Sequence, residues 1–178
     1  MIVLATYPRS GQHLLRENII QRFEINNFIW THEIEKKLNN KIITIVRNPI
    51  DSIVSWVAMK NYYDKNQNIL KSIKKTQLEY SSFYSYILDY VDIVIDYNYL
   101  NTEMEKIIQY IGKSFNLTPN NNNVILDIKD EKENKHLVSS KQNLNYDSIY
   151  KIVENIDLSK EFALYKATLL KAYPSNAL

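Results

Sequence analysis

Arg9, Ser10, Gln12 and His13 crowd around Gly11 near the start of the chain, Arg47 and Ser55 stand eight residues apart further on, and His32 falls between them. Guanidinium groups, hydroxyls and backbone amides hold phosphate-like dianions, and a histidine accepts a proton near neutral pH. These residues describe an anion site with a base beside it. The chain has no cysteine, which excludes disulfides and thiolate zinc sites.

The elements that must position these groups follow from apolar patterning. Met1 to Tyr7 (MIVLATY) has the length and β-branched content of a buried parallel strand, and Pro8-Arg9-Ser10-Gly11 breaks it. Gln12 to Arg22 places Leu14, Leu15, Asn18 and Ile19 on one helical stripe, with Ser10 or Gly11 at the helix start. A strand, a tight turn and a helix bring free backbone N–H groups and the positive helix end together, which is the geometry of a phosphate-binding loop. A plain proline–glycine turn is the alternative. There is no G-x-x-x-x-G-K-[S/T] pattern and no lysine after Gly11 to meet the β- and γ-phosphates of a nucleoside triphosphate.

Further along, Asn27 to Thr31 predicts a short strand ending in Thr31-His32-Glu33, and Glu33 to Asn40 a turn or loop. Lys41 to Val46 (KIITIV) predicts a second core strand. A helix follows with Asn48 as N-cap, Pro49 at its first position, Asp51 in its first turn and Ile50, Ile53, Val54 and Val57 as its apolar stripe. Lys60 to Tyr90 is tyrosine-rich and helical in pattern, broken around Asp64-Lys65-Asn66; it either lines a substrate side or packs as ordinary helix. Asp92 to Tyr97 is a third core strand. Leu100, Met104, Ile107, Ile108 and Ile111 predict an amphipathic helix closed by Gly112 as C-terminal cap. A loop at Pro119 to Asn123, a charged stretch from Asp127 to Lys135 and two helical segments, Tyr146 to Asn155 and Ser159 to Ala172, complete the chain. Alternating strands and helices imply an α/β fold of three layers, α/β/α, around a central parallel sheet. Arg9, His32 and Arg47 all follow strands, where such sheets bind ligands.

Composition bounds the function. The 178 residues suit one domain, residues 1–178, with a real core. A net charge of +2 from 22 basic and 20 acidic residues gives no support for nucleic acid as a partner. No apolar run approaches the ~20 residues of a membrane span and no basic-then-apolar leader is visible, so no membrane role and a cytoplasmic location are expected. Glycine occurs only at positions 11 and 112, which sharpens the first motif.

Tyr7-Pro8-Arg9-Ser10-Gly11 resembles the 5′-phosphosulfate loop, Y-P-K-S-G-T-T, of the PAPS-dependent sulfotransferases. Arg47-Asn48-Pro49-Ile50-Asp51-Ser52-Ile53-Val54-Ser55 resembles that family's 3′-phosphate motif, R-N-P-x-D-x-x-V-S, and Trp30-Thr31-His32 resembles its K-T-H. Asp96-Tyr97-Asn98-Tyr99-Leu100 with the helix after it resembles the family's Y-E-D-L strand end. Together the resemblances span Met1 to Leu117.

The resemblance implies a P-loop NTPase-like topology and a sulfotransferase that moves the sulfuryl group of PAPS to a hydroxyl or amine, leaving PAP. In that scheme Arg9, Ser10, Gly11, Gln12, His13 and Leu14 hold the 5′-phosphosulfate, and Arg47 and Ser55 hold the 3′-phosphate. Tyr97 lies near the adenine, Arg9 stabilises the leaving group and His32 is the general base, with Glu33 in reserve. No metal is required, since the arginine and the helix terminus neutralise the developing charge. The acceptor is a small molecule, carbohydrate or peptide, and the short chain suits an open site or one completed by a partner subunit, as in a homodimer. Departures from the family pattern are Arg9 for lysine, Gln12 and His13 for paired threonines, Leu14 for an adenine-stacking tryptophan, Trp30 for the lysine of K-T-H, and no visible R-K-G segment. These leave two other classes open: a catalytically degenerate PAP- or nucleotide-binding protein, and a P-loop-type kinase.

Overall fold

The first strand, β1 (Ile2–Ala5), is buried on both faces because helices cover both, and its side chains divide by the two-residue period of a strand. In this computed structural model, which describes residues 1–25, 27–32, 40–120 and 145–173, Ile2 and Leu4 point to one layer and Val3 and Ala5 to the other. At the sheet edge β2 (Phe28–Thr31) adds Phe28 to the first layer, and the same division continues through β3 (Lys41–Val46), β4 (Ile93–Asp96) and β5 (Ala172–Tyr173). The five strands form one sheet in the order β2-β1-β3-β4-β5, every pair parallel.

One face of the sheet carries α1 (Gln12–Arg22) and α4 (Met104–Phe115), which bury Leu14, Leu15, Ile19, Ile107, Ile108 and Ile111 against Ile43, Ile45, Ile93 and Ile95. Each such aliphatic side chain contributes about 1.5–3 kcal/mol on leaving water. The other face carries α3 (Ile69–Ile87) and α6 (Ser159–Leu169), with Tyr80, Phe83, Tyr84 and Ile87 on Val46 and Val94. Outside it, α2 (Pro49–Tyr63) and α5 (Tyr146–Val153) pack through Ile53, Val54, Val57, Ile149 and Val153. The three-layer α/β/α architecture is therefore the one the alternation of elements demands. Among the described residues no helix is long and apolar enough to cross a membrane.

Local chemistry sets the boundaries. Asn48 caps α2 by accepting the Ile50 N–H at 2.9 Å, Pro49 opens the helix, and Asp64 ends it at the predicted break. Gly112 is not the C-cap of α4: the helix runs through it to Phe115, and Asn116, at φ 52°, makes the left-handed cap. The glycine answers a packing need instead, since a Cβ there would lie 2.5 Å from the Phe23 ring. Leu100 precedes α4, at the end of a short 3-10 turn over Tyr97–Tyr99. The last helix stops at Leu169, and Ala172 pairs with Val94 as part of β5, because a two-residue strand carries no periodicity from which to read it. Glu33 to Asn39, the residues from 121 of the Pro119 to Asn123 loop, and Asp127 to Lys135 lie outside the described residues.

Candidate functional site

Parallel pairing determines which motif residues can meet. Ala5 sits opposite Thr31 and the Thr6 N–H reaches the Thr31 carbonyl at 3.1 Å, so His32 emerges beside Thr6. Val46 sits opposite Asp96, so Arg47 emerges beside Tyr97, with its guanidinium 4.3 Å from the centre of the Tyr97 ring. The strand ends thus deliver the two candidate segments to either side of the loop after β1.

The loop is tight and strained. Arg9 has φ 65° and Gly11 φ 82°, and a positive φ at a non-glycine residue is held only where its surroundings require it. The Ser10 hydroxyl is buried and donates to the Tyr7 carbonyl at 2.5 Å, so it braces the turn from inside. Gly11 is the N-cap of α1 and offers no side-chain acceptor, which leaves the first N–H groups of the helix without a capping partner. A Cβ at Gly11 would meet Leu100 Cδ1 at 2.7 Å and Tyr97 at 3.1 Å, so both conformation and space require glycine there. Leu14 is committed to the core beneath.

Arg9 and Arg47 converge on this loop. An Arg47 Nη1–H donates to the Arg9 carbonyl at 2.7 Å, and the Arg9 Nε–H donates to Ser55 Oγ at 3.3 Å. Tyr80 donates its hydroxyl to the Arg47 carbonyl at 2.9 Å, and Tyr84 does the same to Ile45 at 2.9 Å; burial raises the pKa of both phenols and keeps them protonated. Arg47 enters no ion pair among the described residues, and its Nε–H is buried without a hydrogen-bond partner. A half-buried guanidinium in no ion pair among the described residues is an arrangement that an anion would complete.

The histidine stands in a closed ring of bonds. His32 Nδ1 lies 2.8 Å from the Thr6 carbonyl, which can only accept, so Nδ1 carries the proton and Nε2 the lone pair. The Gln12 amide donates to that Nε2 at 3.2 Å, and Gln12 Oε1 accepts from the Thr6 hydroxyl at 2.8 Å. Trp30 packs between His32 and His13, with ring centres 5.2 Å and 5.3 Å away. Burial and then the Arg16 charge lower the His13 pKa, with smaller contributions from His32 and Arg9.

Beside His32 a cavity of about 380 Å³ opens between the loop and α3, lined by Tyr7, Pro8, Trp56, Glu79 and Phe83 as well as the histidine. Glu79 and Phe83 had no signal in the sequence, because only the packing of α3 over the loop brings them there. The tyrosines of this helix divide: Tyr80 and Tyr84 are core, and the neighbouring positions supply the cavity wall. A larger cavity, about 570 Å³, lies at the corner of α5 and α6 and touches none of the loop residues.

The structure therefore brings together Arg9, Ser10, Gly11, Gln12, Arg47, Ser55, Tyr97 and His32. It gives no position for Glu33, which lies outside the described residues. No protein-family model matches the chain, and no curated protein matches it.

Proposed function

We propose that the chain is a sulfotransferase that transfers the sulfuryl group of PAPS to a hydroxyl or amine. The observation that carries the reading is the Arg47 guanidinium, held on the backbone carbonyl of Arg9 in the loop that opens α1, with a buried Nε–H and no ion pair among the described residues, beside a helix start that no side chain caps. The 5′-phosphosulfate would lie on the N–H groups that open α1, and Arg9 would stabilise the charge that builds on the oxygen bridging sulfur to phosphate. Arg47 and Ser55 would take the 3′-phosphate, and the Tyr97 ring would pack by the adenosine.

Transfer breaks the sulfur–oxygen bond to PAP and forms one to the acceptor oxygen or nitrogen, while the acceptor proton passes to His32 Nε2. The resting bond from Gln12 to that nitrogen has a consequence. His32 would become a base only when the amide turns away, and an anion bound on the loop would favour that by accepting from the amide. Arrival of the donor would then free the base.

Calorimetric titration with PAP, against 5′-AMP and ATP, tests the donor site. PAP binding much tighter than 5′-AMP binding supports the 3′-phosphate assignment, and equal binding sinks it. His32→Ala should keep PAP binding and lose turnover by about 10²–10⁴-fold, the range of general-base effects. Loss of PAP binding in that variant would break the division of roles.

A second reading is favoured by the closed ring around His32: a protein that binds PAP or a related nucleotide without turnover. Retained PAP binding with no product across a panel of alcohols and amines would favour it.

A further inference from the structure

We propose that the tip of the α2–α3 hairpin is a docking surface for a membrane rich in anionic phospholipid. It uses none of the residues assigned to the anion site, so it stands or falls apart from the sulfotransferase reading. The helix α3 has two distinct faces. Ile73, Tyr80, Phe83, Tyr84 and Ile87 are buried in the core. The outward positions are Leu70, Lys71, Lys74, Lys75 and Leu78, all exposed. Leu70, Lys74 and Leu78 follow at four-residue steps, a stripe about 12 Å long. Beyond it the outward residues are Ser82 and Ser85, small and neutral. The aliphatic and basic character is thus confined to the first half of the helix. There α2 ends in exposed Tyr62 and Tyr63, and the turn adds exposed Lys65.

Exposure and charge coincide at this tip. Nine large apolar side chains are exposed among the described residues, and four of them, Tyr62 at 52%, Tyr63 at 79%, Leu70 at 57% and Leu78 at 67%, lie on the hairpin. Single exposed leucines are ordinary, whereas a concentration of this kind marks an interaction surface. From Lys60 to Glu79 the chain has five lysines and two carboxylates. Glu79 is taken by Lys60 at 3.0 Å, with Lys75 3.9 Å away, and Asp64 accepts the Asn66 N–H of its own turn at 3.1 Å. Lys65, Lys71 and Lys74 enter no ion pair among the described residues. A soluble polyanion would meet the lysines and leave both leucines in water. An apolar groove on a protein would take the leucines and strand the ammonium groups. A lipid surface takes all three kinds of side chain: phosphate groups for the lysines, the headgroup layer for the tyrosines and the acyl boundary for the leucines. The expectation of no membrane role rested on the absence of an apolar run, and a hairpin that lies on the surface needs none.

Sedimentation of the full chain with vesicles tests this, using phosphatidylcholine alone and phosphatidylcholine with about one third phosphatidylglycerol. At about 0.1 M salt the anionic vesicles should bind at least about 10-fold more tightly, and the difference should shrink as salt rises. Lys71→Gln, Lys74→Gln and Lys75→Gln together should weaken that binding about 10²-fold, at about 5-fold per lysine. Tyr63→Ser with Leu70→Ser keeps every charge and should still cost about 10-fold. Lys113→Gln with Lys160→Gln, exposed lysines outside the hairpin, should stay within about 2-fold of wild type, which separates the tip from net charge. All these side chains are exposed, and a thermal melt on each sample checks that the fold is kept. Equal binding to the two vesicles, or equal losses in the control pair and the hairpin variants, overturns the inference. If only the lysine variant loses binding, the tip takes any polyanion and the lipid assignment falls.

Discussion

Two polar clusters in this molecule are built in opposite ways. Between α3 and α6, the Glu161 carboxylate is buried and accepts from Gln77 Nε2 at 3.1 Å and from the Ser81 hydroxyl, in the first turn of α6, where a negative charge is favoured. Gln77 spends its remaining donor on the Asp157 carbonyl at 3.0 Å. That cluster closes on itself. At the ends of β1 and β3, Arg47 bonds the Arg9 carbonyl and keeps a buried Nε–H with no partner among the described residues, beside a positive φ at Arg9 and a helix start that no side chain caps. The first cluster has its charge satisfied and serves the fold. The second keeps an unspent donor on Arg47 and strain at Arg9, which suits a site for an external anion.

The contrast is broken or sharpened by separating binding from stability. Arg47→Ala should weaken PAP binding by about 10² to 10³-fold, the cost of removing one partner from a charge-assisted pair. Its melting temperature should stay within about 3 °C of wild type, because the Tyr80 hydroxyl bonds the backbone carbonyl, which alanine keeps. Titration calorimetry and a thermal melt on the same sample read both effects. Glu161→Ala should do the reverse. It strands the Ser81 hydroxyl and opens a void, costing about 2–3 kcal/mol, or about 4–10 °C in the melt, with PAP affinity unchanged. If Arg47→Ala destabilises more than Glu161→Ala, the two clusters do not differ in kind.

The smallest effect is expected at buried Asp96, next to the proposed anion site. Burial raises the pKa of its carboxyl, against the opposing bond from the Asn98 N–H. The charged form therefore costs stability at neutral pH, and the cost disappears as pH falls through the raised folded pKa toward the unfolded value. Asp96→Asn, which keeps an acceptor for Asn98, should raise the melting temperature at pH 7 by about 1–3 °C. The gap should close under acid. A melt series from pH 7 to pH 4 would show a constant gap if burial were not the cause.

How far the molecule could be read in advance differs by residue. The core strand Lys41–Val46 and the capped start of α2 at Asn48-Pro49 were legible because local rules act there without competition: a continuous apolar run and side chains that bond their own backbone. Gly112 misled because glycine has two uses, and the Phe23 ring, far away in sequence, decided for packing over capping. The Gln12 amide, expected to meet a phosphate, also lies within hydrogen-bond distance of His32, a contact that depends on the register of β1 against β2.

The sequence by itself determined the layered α/β architecture, the tight glycine turn after β1 and the identity of the residues at the strand ends, since each follows from side-chain period, turn residues or capping within a few residues. Only the tertiary structure decided that Arg47 reaches the Arg9 carbonyl, that both nitrogens of His32 are engaged, and that Glu79 and Phe83 wall a cavity beside it. Those contacts join residues whose distance in the chain carries no signal. Strand order and helix packing bring them together, and those are settled by burial of the whole core rather than by any local choice.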